Sequence, residues 1–192
     1  GTVYDRSTRT LVASCRFVFN YAMAWRRFQR PEYLAWTRHG LAYLRDVHRR
    51  PDGDGYAWRL EEGRPVDRTN HCYGLAFVLL AQATALKAGV AEARADLDET
   101  FAVMERHFWS EADGLYAAEA DPDWQVTSYR GQNDNMHACE ALIAGSSAPD
   151  PLATARAVGC DQPSIRLPGT PTGDWLPAVH TASPDICAAN AK

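Results

Sequence analysis

The residues "TNHCYGLAFVLLAQATALKA", at 69–88, are apolar almost all the way round a helix. A helix without a polar face is one that other elements surround, so this segment predicts a helix in the protein interior. Gly89 follows it directly and predicts the end of the helix. The fold is therefore expected to form around buried helices.

A repeat extends outward from this helix. Residues 8–29 form an earlier apolar segment, and a third begins near Asn133. Amphipathic helices are predicted at 32–49 and 91–109, and each precedes a turn-rich stretch that predicts a β-hairpin. Asp113 and Gly114 in the second stretch follow Asp54 and Gly55 in the first by 59 residues. The repeating unit is a buried helix, a half-exposed helix and a hairpin.

This unit predicts a mostly α-helical protein of the α/α-barrel type, in which inner helices line an axis and outer helices wrap them. A helical bundle and an α-solenoid are the alternatives. An open solenoid would expose one side of each inner helix to water, whereas these helices are apolar all round. The closed arrangement is therefore favoured.

The pattern ends near Ala144. Residues 145–192 carry seven of the eleven prolines, and no helical stripe fits that density. We interpret 1–144 as a partial barrel domain and 145–192 as a separate, disordered tail rich in proline and alanine.

Composition narrows the functional classes. The net charge of −4 gives no reason to expect nucleic acid or an anionic membrane as a partner. The five cysteines are widely spaced and odd in number, which fits neither a disulfide scaffold nor a zinc site. There is no signal peptide and no apolar run of membrane-spanning length, so a cytoplasmic location is expected. No metal or cofactor motif is present.

Polar residues recur on the apolar helices. Arg16 lies in the first, Tyr73 in the second, and Asn133 and His137 in the third. Arg16 must be paired or face water, because an unpaired buried charge is very costly. Asn133 and His137 are four residues apart and share one helix face. We expect these residues to lie at equivalent heights on successive inner helices, which predicts one polar pocket on the barrel axis.

Structural roles compete with this interpretation. Arg16 could pair with a carboxylate, Tyr73 could bond to the backbone, and His137 could be satisfied in a core. Glu140 either orients His137 or bonds to another helix. His71 is a candidate to flank the pocket. The remaining histidines on the amphipathic helices are predicted to be surface residues: His39, His48 and His107.

The stretch "YRGQNDNMHACEAL", at 129–142, resembles the "RGxNxNMHxxEA" signature of the N-acylglucosamine 2-epimerase superfamily, in the aldose–ketose isomerase branch that includes D-mannose isomerases. The segments "SCRFVFNYAMA", at 14–24, and "NHCYGLAFVLLAQATALKAG", at 70–89, resemble the first and second inner helices of that family. The resemblance covers residues 5 to 144.

The resemblance implies about the first half of an (α/α)6 barrel and a reaction on a monosaccharide without metal or cofactor. The expected reaction converts D-mannose to D-fructose through a cis-enediolate, with histidines as acid–base catalysts. Arg16 matches an arginine that stabilises the enediolate charge. Tyr73 matches a sugar-contacting tyrosine. Asn133 and His137 match the substrate-binding pair, in which the histidine assists ring opening.

The chain departs from the family after Leu142. The family's two proton-shuttling histidines lie in later repeats, and nothing beyond Leu142 resembles those repeats. Our hypothesis is that a frameshift or truncation near Ala144 ended the region that resembles the family. Whether this chain is active is therefore an open question. Inner helices exposed along one side would drive the formation of a homo-oligomer.

Three other functions remain open. A 2-epimerase acting on a free or N-acylated sugar shares the enediolate chemistry. A glycoside hydrolase needs two opposed carboxylates, and Glu140 is the one clear candidate on the inner helices. A half-barrel that binds carbohydrate without turnover is the non-enzymatic alternative.

Overall fold

The computed structural model describes residues 5–51 and 54–145, which form five α-helices and seven short strands. Three helices lie side by side: α1 (Leu11–Phe28), α3 (Cys72–Lys87) and α5 (Gln132–Gly145). Two others pack against them, α2 (Pro31–Tyr43) on α1 and α4 (Ala93–His107) on α3. This alternation of inner and outer helices is a partial α/α barrel, as the repeat predicts.

The helix ends follow local chemistry. Thr10 caps α1 by accepting a hydrogen bond from the Ala13 backbone N–H through its side chain. Gln29 ends that helix with a φ of 54°, and Pro31 begins α2 at the position where its missing N–H costs nothing. Gly89, with a φ of 89°, follows α3 as expected.

The strands form three small antiparallel sheets. Strands β1 (Thr8–Thr10), β2 (Arg59–Glu61) and β3 (Arg64–Asp67) make one sheet in that order. Strand β4 (Asn70–His71) pairs with β7 (Glu119–Ala120), and β5 (Trp109–Ser110) pairs with β6 (Leu115–Tyr116). The second predicted hairpin is therefore confirmed at β5 and β6.

The first hairpin turns at a different place from the one its sequence suggested. Its turn is Glu62 and Gly63, with φ values of 49° and 74°, a pair of left-handed residues suited to a tight hairpin. Gly55 is buried instead, and a Cβ there would lie 2.3 Å from the Asn70 side-chain oxygen. The glycine at 55 thus serves close packing rather than chain reversal.

Helix α3 is the centre of the core. Twelve of its sixteen residues are buried, because α1 and α5 flank it and α4 backs it. Helix α1, which the sequence also predicts to be buried on all sides, is not. Its buried residues form one stripe, whereas Arg16, Asn20 and Met23 are exposed. Among the described elements α1 has an inner neighbour on one side only, so the prediction of all-round burial is wrong for this helix.

Two histidines that the sequence predicts at the surface are wholly or partly buried. His48 is completely buried, and His107 is half-buried with its ring stacked on Trp124 at 3.9 Å between centroids. His48 ends a π-helical turn, Leu44–His48, that follows α2. The wider turn rotates the last side chains away from the regular α-helical register, so periodicity placed His48 on the wrong face. His39 is exposed, as predicted.

The remaining predictions concern chemistry and boundaries. Cys15, Cys72 and Cys139 are not joined in disulfides, and burial raises the pKa of Cys15 and of Cys72. Helix α5 ends at Gly145, and the predicted disordered tail lies outside the described residues. In the described part of the chain, none of the helices combines the length and apolar character that crossing a membrane requires.

Candidate functional site

Residues from all three inner helices meet at the axis around one aromatic ring, that of Phe77. Phe77 lies one turn after Tyr73 on α3, with the two ring centroids 4.9 Å apart. From α5, the His137 ring lies 5.0 Å from Tyr73, edge to face, and 5.0 Å from Phe77. From α1, the Arg16 guanidinium lies over Phe77, 5.2 Å from its centroid. Three of the four predicted site residues are thus brought together.

The sequence left two possibilities for Arg16, pairing with a carboxylate or facing water, and the structure shows the second. Its side chain is exposed on α1, and its guanidinium rests on the Phe77 face in a cation–π contact. The charge therefore keeps its hydration on one side while the aromatic ring supports it on the other.

Glu140 bonds to His137. Its Oε2 accepts a hydrogen bond from His137 Nδ1 at 3.0 Å, across three residues of α5. Because a carboxylate only accepts, Nδ1 carries the proton, and in the neutral imidazole Nε2 is left as the free acceptor. Of the two roles considered for Glu140, orienting His137 is the one that the structure supports.

Asn133 is exposed one turn before His137 on the same helix. Its carboxamide is not hydrogen-bonded to the imidazole, so the two residues do not satisfy each other. They share a face, as the four-residue spacing predicts, and that face is accessible.

Two neighbouring residues of the same motif have structural roles. Asn135 is buried, donating to the carbonyls of Tyr116 and Gly131 and accepting from the Tyr116 N–H at 2.8 Å. Asp134 accepts a hydrogen bond from the backbone N–H of Tyr73, and burial raises the pKa of this carboxyl. These bonds fix the start of α5 against β6 and α3, which positions His137 beside Tyr73.

His71 and Trp58 form the rim of the cluster. The Trp58 ring lies 4.2 Å from His71 and 6.4 Å from Tyr73, measured between centroids. His71 is also within 3.4 Å of a carboxylate oxygen of Glu119. The prediction that His71 flanks the pocket agrees with this position. Sequence reasoning missed Trp58 and Phe77, because an aromatic residue in an apolar segment carries no sign of a site.

The cluster combines the Phe77 ring with a guanidinium, a phenol and an imidazole, and the Asn133 carboxamide is exposed one turn before the imidazole on α5. Such groups suit a neutral ligand rich in hydroxyls, because each donates or accepts hydrogen bonds while the rings pack against C–H faces. Across residues 5–51 and 54–145, no group of three or more histidine, cysteine or acidic side chains is arranged to hold a metal ion.

Comparison with known proteins gives consistent results. The family model described as N-acylglucosamine 2-epimerase matches residues 1–150. A D-mannose isomerase from Marinomonas mediterranea is 48% identical over 149 residues, which cover 77% of this chain and 38% of the relative. The crystal structure of a D-mannose isomerase superposes with a TM-score of 0.80 at 45% identity, covering 84% of this chain and 41% of that one.

A more distant structure agrees in fold. The cellobiose 2-epimerase from Spirochaeta thermophila has a TM-score of 0.74 at 22% identity and is covered over 42% of its chain. The described helices are therefore part of an (α/α)6 barrel, and the chain spans about two-fifths of the length of these proteins. The chain belongs to the N-acylglucosamine 2-epimerase family.

Proposed function

We propose that this chain provides the substrate-binding wall of an aldose–ketose isomerase that converts D-mannose to D-fructose. The observation that carries the proposal is the meeting of Arg16, Tyr73 and His137 around Phe77, in a segment similar to D-mannose isomerases. The proposed ligand is a monosaccharide, and the chemistry requires neither metal nor cofactor.

Each polar group has a proposed role in that reaction. The Arg16 guanidinium stabilises the negative charge that develops on O1 and O2 of a cis-enediolate. His137 holds a sugar hydroxyl and, through its unprotonated Nε2, accepts the proton that ring opening releases. Tyr73 and Asn133 bind further hydroxyls and fix the orientation of the sugar.

Proton transfer between C1 and C2 needs a further acid–base pair. The family resemblance assigns this step to histidines in repeats beyond the matched region. Turnover is therefore proposed for a barrel that includes those repeats, and sugar binding for the residues described here.

The same wall is compatible with a 2-epimerase, since epimerisation at C2 passes through the same enediolate. The relationship to cellobiose 2-epimerases, seen at 25% identity over 144 residues with the enzyme from Dictyoglomus turgidum, favours this second candidate. The two activities differ in product: isomerisation of D-mannose yields fructose, and epimerisation yields glucose.

Proton NMR of D-mannose in D2O with the purified chain tests the proposal. Sugar binding by the chain predicts broadening of the D-mannose signals, which disappears in Arg16→Ala. In a protein that includes the later repeats, isomerase activity predicts loss of the C2 proton signal together with the appearance of fructose. Arg94→Ala, which removes a surface pair with Asp98 on α4, is the matched control. Appearance of glucose without fructose would identify an epimerase. Failure of D-mannose to bind to the folded protein would refute the proposal.

A further inference from the structure

A second polar site lies away from the axis, in a cavity of about 240 Å³ between α1 and α2. The cavity is separate from the sugar cluster, since neither Tyr73 nor His137 lines it. The lining residues come from β1, α1 and α2: Arg9, Ala13, Ser14, Phe17, His39, Gly40 and Tyr43. Ser14 is the nucleophilic group among them.

Ser14 is hydrogen-bonded to a buried histidine. Its Oγ lies 2.9 Å from Nε2 of His48, the completely buried residue that ends the π-helical turn. A π-helical turn is rare and costs hydrogen-bond geometry, and such turns are frequent at functional sites. Here the turn brings His48 inward onto Ser14.

A third group fixes the histidine. Nδ1 of His48 lies 3.1 Å from the carbonyl oxygen of Ala57, and the Ala57 N–H donates to the His48 carbonyl at 2.7 Å. A carbonyl can only accept, so Nδ1 carries the proton and Nε2 is the acceptor. The Ser14 hydroxyl therefore donates to Nε2, as a nucleophile does to its general base.

The electrostatic setting favours this arrangement. Burial lowers the pKa of His48, so the imidazole is neutral near pH 7 and its Nε2 lone pair is available to the Ser14 hydroxyl. Ser14 lies in the first turn of α1, where the helix dipole favours negative charge. Arg9, an exposed residue whose Nη1 donates to the Thr8 carbonyl, also lines the cavity and adds a positive charge at its edge.

We infer that Ser14 is a nucleophile activated by His48, which accepts acyl groups from small esters bound in the α1–α2 cavity. The Ser14 Oγ bonds to the ester carbonyl carbon while its proton passes to His48 Nε2. The ester C–O bond then breaks, and the alcohol leaves with that proton. Water hydrolyses the acyl-serine by the same route and releases a carboxylic acid. The apolar walls, Phe17 and Tyr43, suit short alkyl or aryl acyl groups.

The test is covalent labelling followed by peptide mass spectrometry. An alkyl fluorophosphonate, which loses fluoride when serine attacks phosphorus, should give one adduct per chain on Ser14. p-Nitrophenyl acetate should give a burst of nitrophenol and an acetylated Ser14. A Ser–His hydrogen bond that is only structural would give neither result.

Variants separate the roles of the two residues. Ser14→Ala should abolish the adduct, and His48→Gln should slow labelling by about 100-fold, the usual contribution of a general base. Ser110→Ala is the control, because the partly exposed Ser110 hydroxyl donates to the weakly basic Asp113 carboxylate rather than to an imidazole. Circular dichroism identifies variants that remain folded, and Arg9→Gln, at an exposed position, gives a second test should His48→Gln unfold: labelling should slow severalfold.

Three results would overturn the inference. They are resistance of the folded wild-type protein to both reagents, formation of the adduct on another residue, and labelling at the wild-type rate in folded His48→Gln and Arg9→Gln. Each would show that the Ser14–His48 hydrogen bond serves packing alone.

Discussion

The rings of Tyr73 and His137 meet edge to face with their centroids 5.0 Å apart, joining α3 to α5 at the barrel axis. His137 is held in this position from its other side by Glu140, at 3.0 Å from Nδ1. Together with the Phe77 ring, also 5.0 Å away, these neighbours orient the imidazole before any sugar is present. Preorganisation of this kind lowers the ordering cost of binding.

The orienting role of Glu140 predicts a change in binding rather than in folding. Glu140→Ala should weaken sugar affinity by up to about fivefold, because a single partly exposed hydrogen bond contributes about 1 kcal/mol. Glu140→Gln, whose amide oxygen can still accept from Nδ1, should restore most of the affinity. Titration calorimetry and thermal melts would measure both effects, and a large fall in melting temperature would point to a structural role instead.

Asn135 and Asn133 offer a matched pair on one helix. Asn135→Ala should destabilise the fold by about 2–4 kcal/mol, because it leaves buried backbone groups of Tyr116 without their hydrogen bonds. Asn133→Ala, at an exposed position, should stay within about 0.5 kcal/mol of wild type. Urea unfolding measures both free energies. Equal values for the two variants would contradict the assignment of Asn135 to structure and Asn133 to the site.

His48 predicts a pH dependence of stability. Its folded-state pKa is lowered by burial, so the unfolded chain binds the proton first as the pH falls through about 6.5. The free energy of unfolding should therefore be greatest above neutral pH and should decrease below it. Burial also lowers the pKa of His107, which adds to the same trend.

Calorimetric melting temperatures at several pH values between 5 and 7.5 would show this decline. The slope should be smaller in His48→Gln, because one of the two depressed histidines is gone. An unchanged slope in that variant would contradict the assignment.

Exposed apolar side chains predict self-association of the chain. Met23, Phe28 and Trp36 on α1 and α2 are 42%, 61% and 47% exposed, and Met136 on α5 is 53% exposed. Several exposed large apolar side chains favour association, so light scattering should give a mass above that of a monomer. Trp36→Glu with Phe28→Glu should lower the measured mass. A wild-type monomer with a sharp thermal transition would contradict this prediction.

Much of the fold follows from sequence periodicity. The stripe Leu34, Thr37, Leu41 and Leu44 and the stripe Leu97, Phe101, Met104 and Phe108 face the core or its margin. These patterns succeed because burial of one helix face is a local property of spacing. Periodicity failed at His48, where a π-helical turn changed the register, and at α1, whose exposure depends on which helices surround it.

The site was predictable only in part. Arg16, Tyr73 and His137 stood out because polar groups on apolar helices require an explanation. Phe77 and Trp58 did not, since an aromatic ring in the core and one in a site look alike in sequence. The motif also contains residues of two kinds: Asp134 and Asn135 bond to α3 and β6, whereas His137 lies against Tyr73, and only the packing reveals this difference.

The central claim is that Arg16, Tyr73, Asn133 and His137 form one wall of a sugar-binding site. The most direct measurement is NMR of the histidine ring protons, assigned with His137→Gln, during titration with D-mannose. We predict saturable shifts of the His137 resonances that vanish in Arg16→Ala, while the exposed His39 on α2 stays unchanged. Binding of D-mannose with shifts elsewhere and none at His137, or no saturable binding at all, would contradict the account.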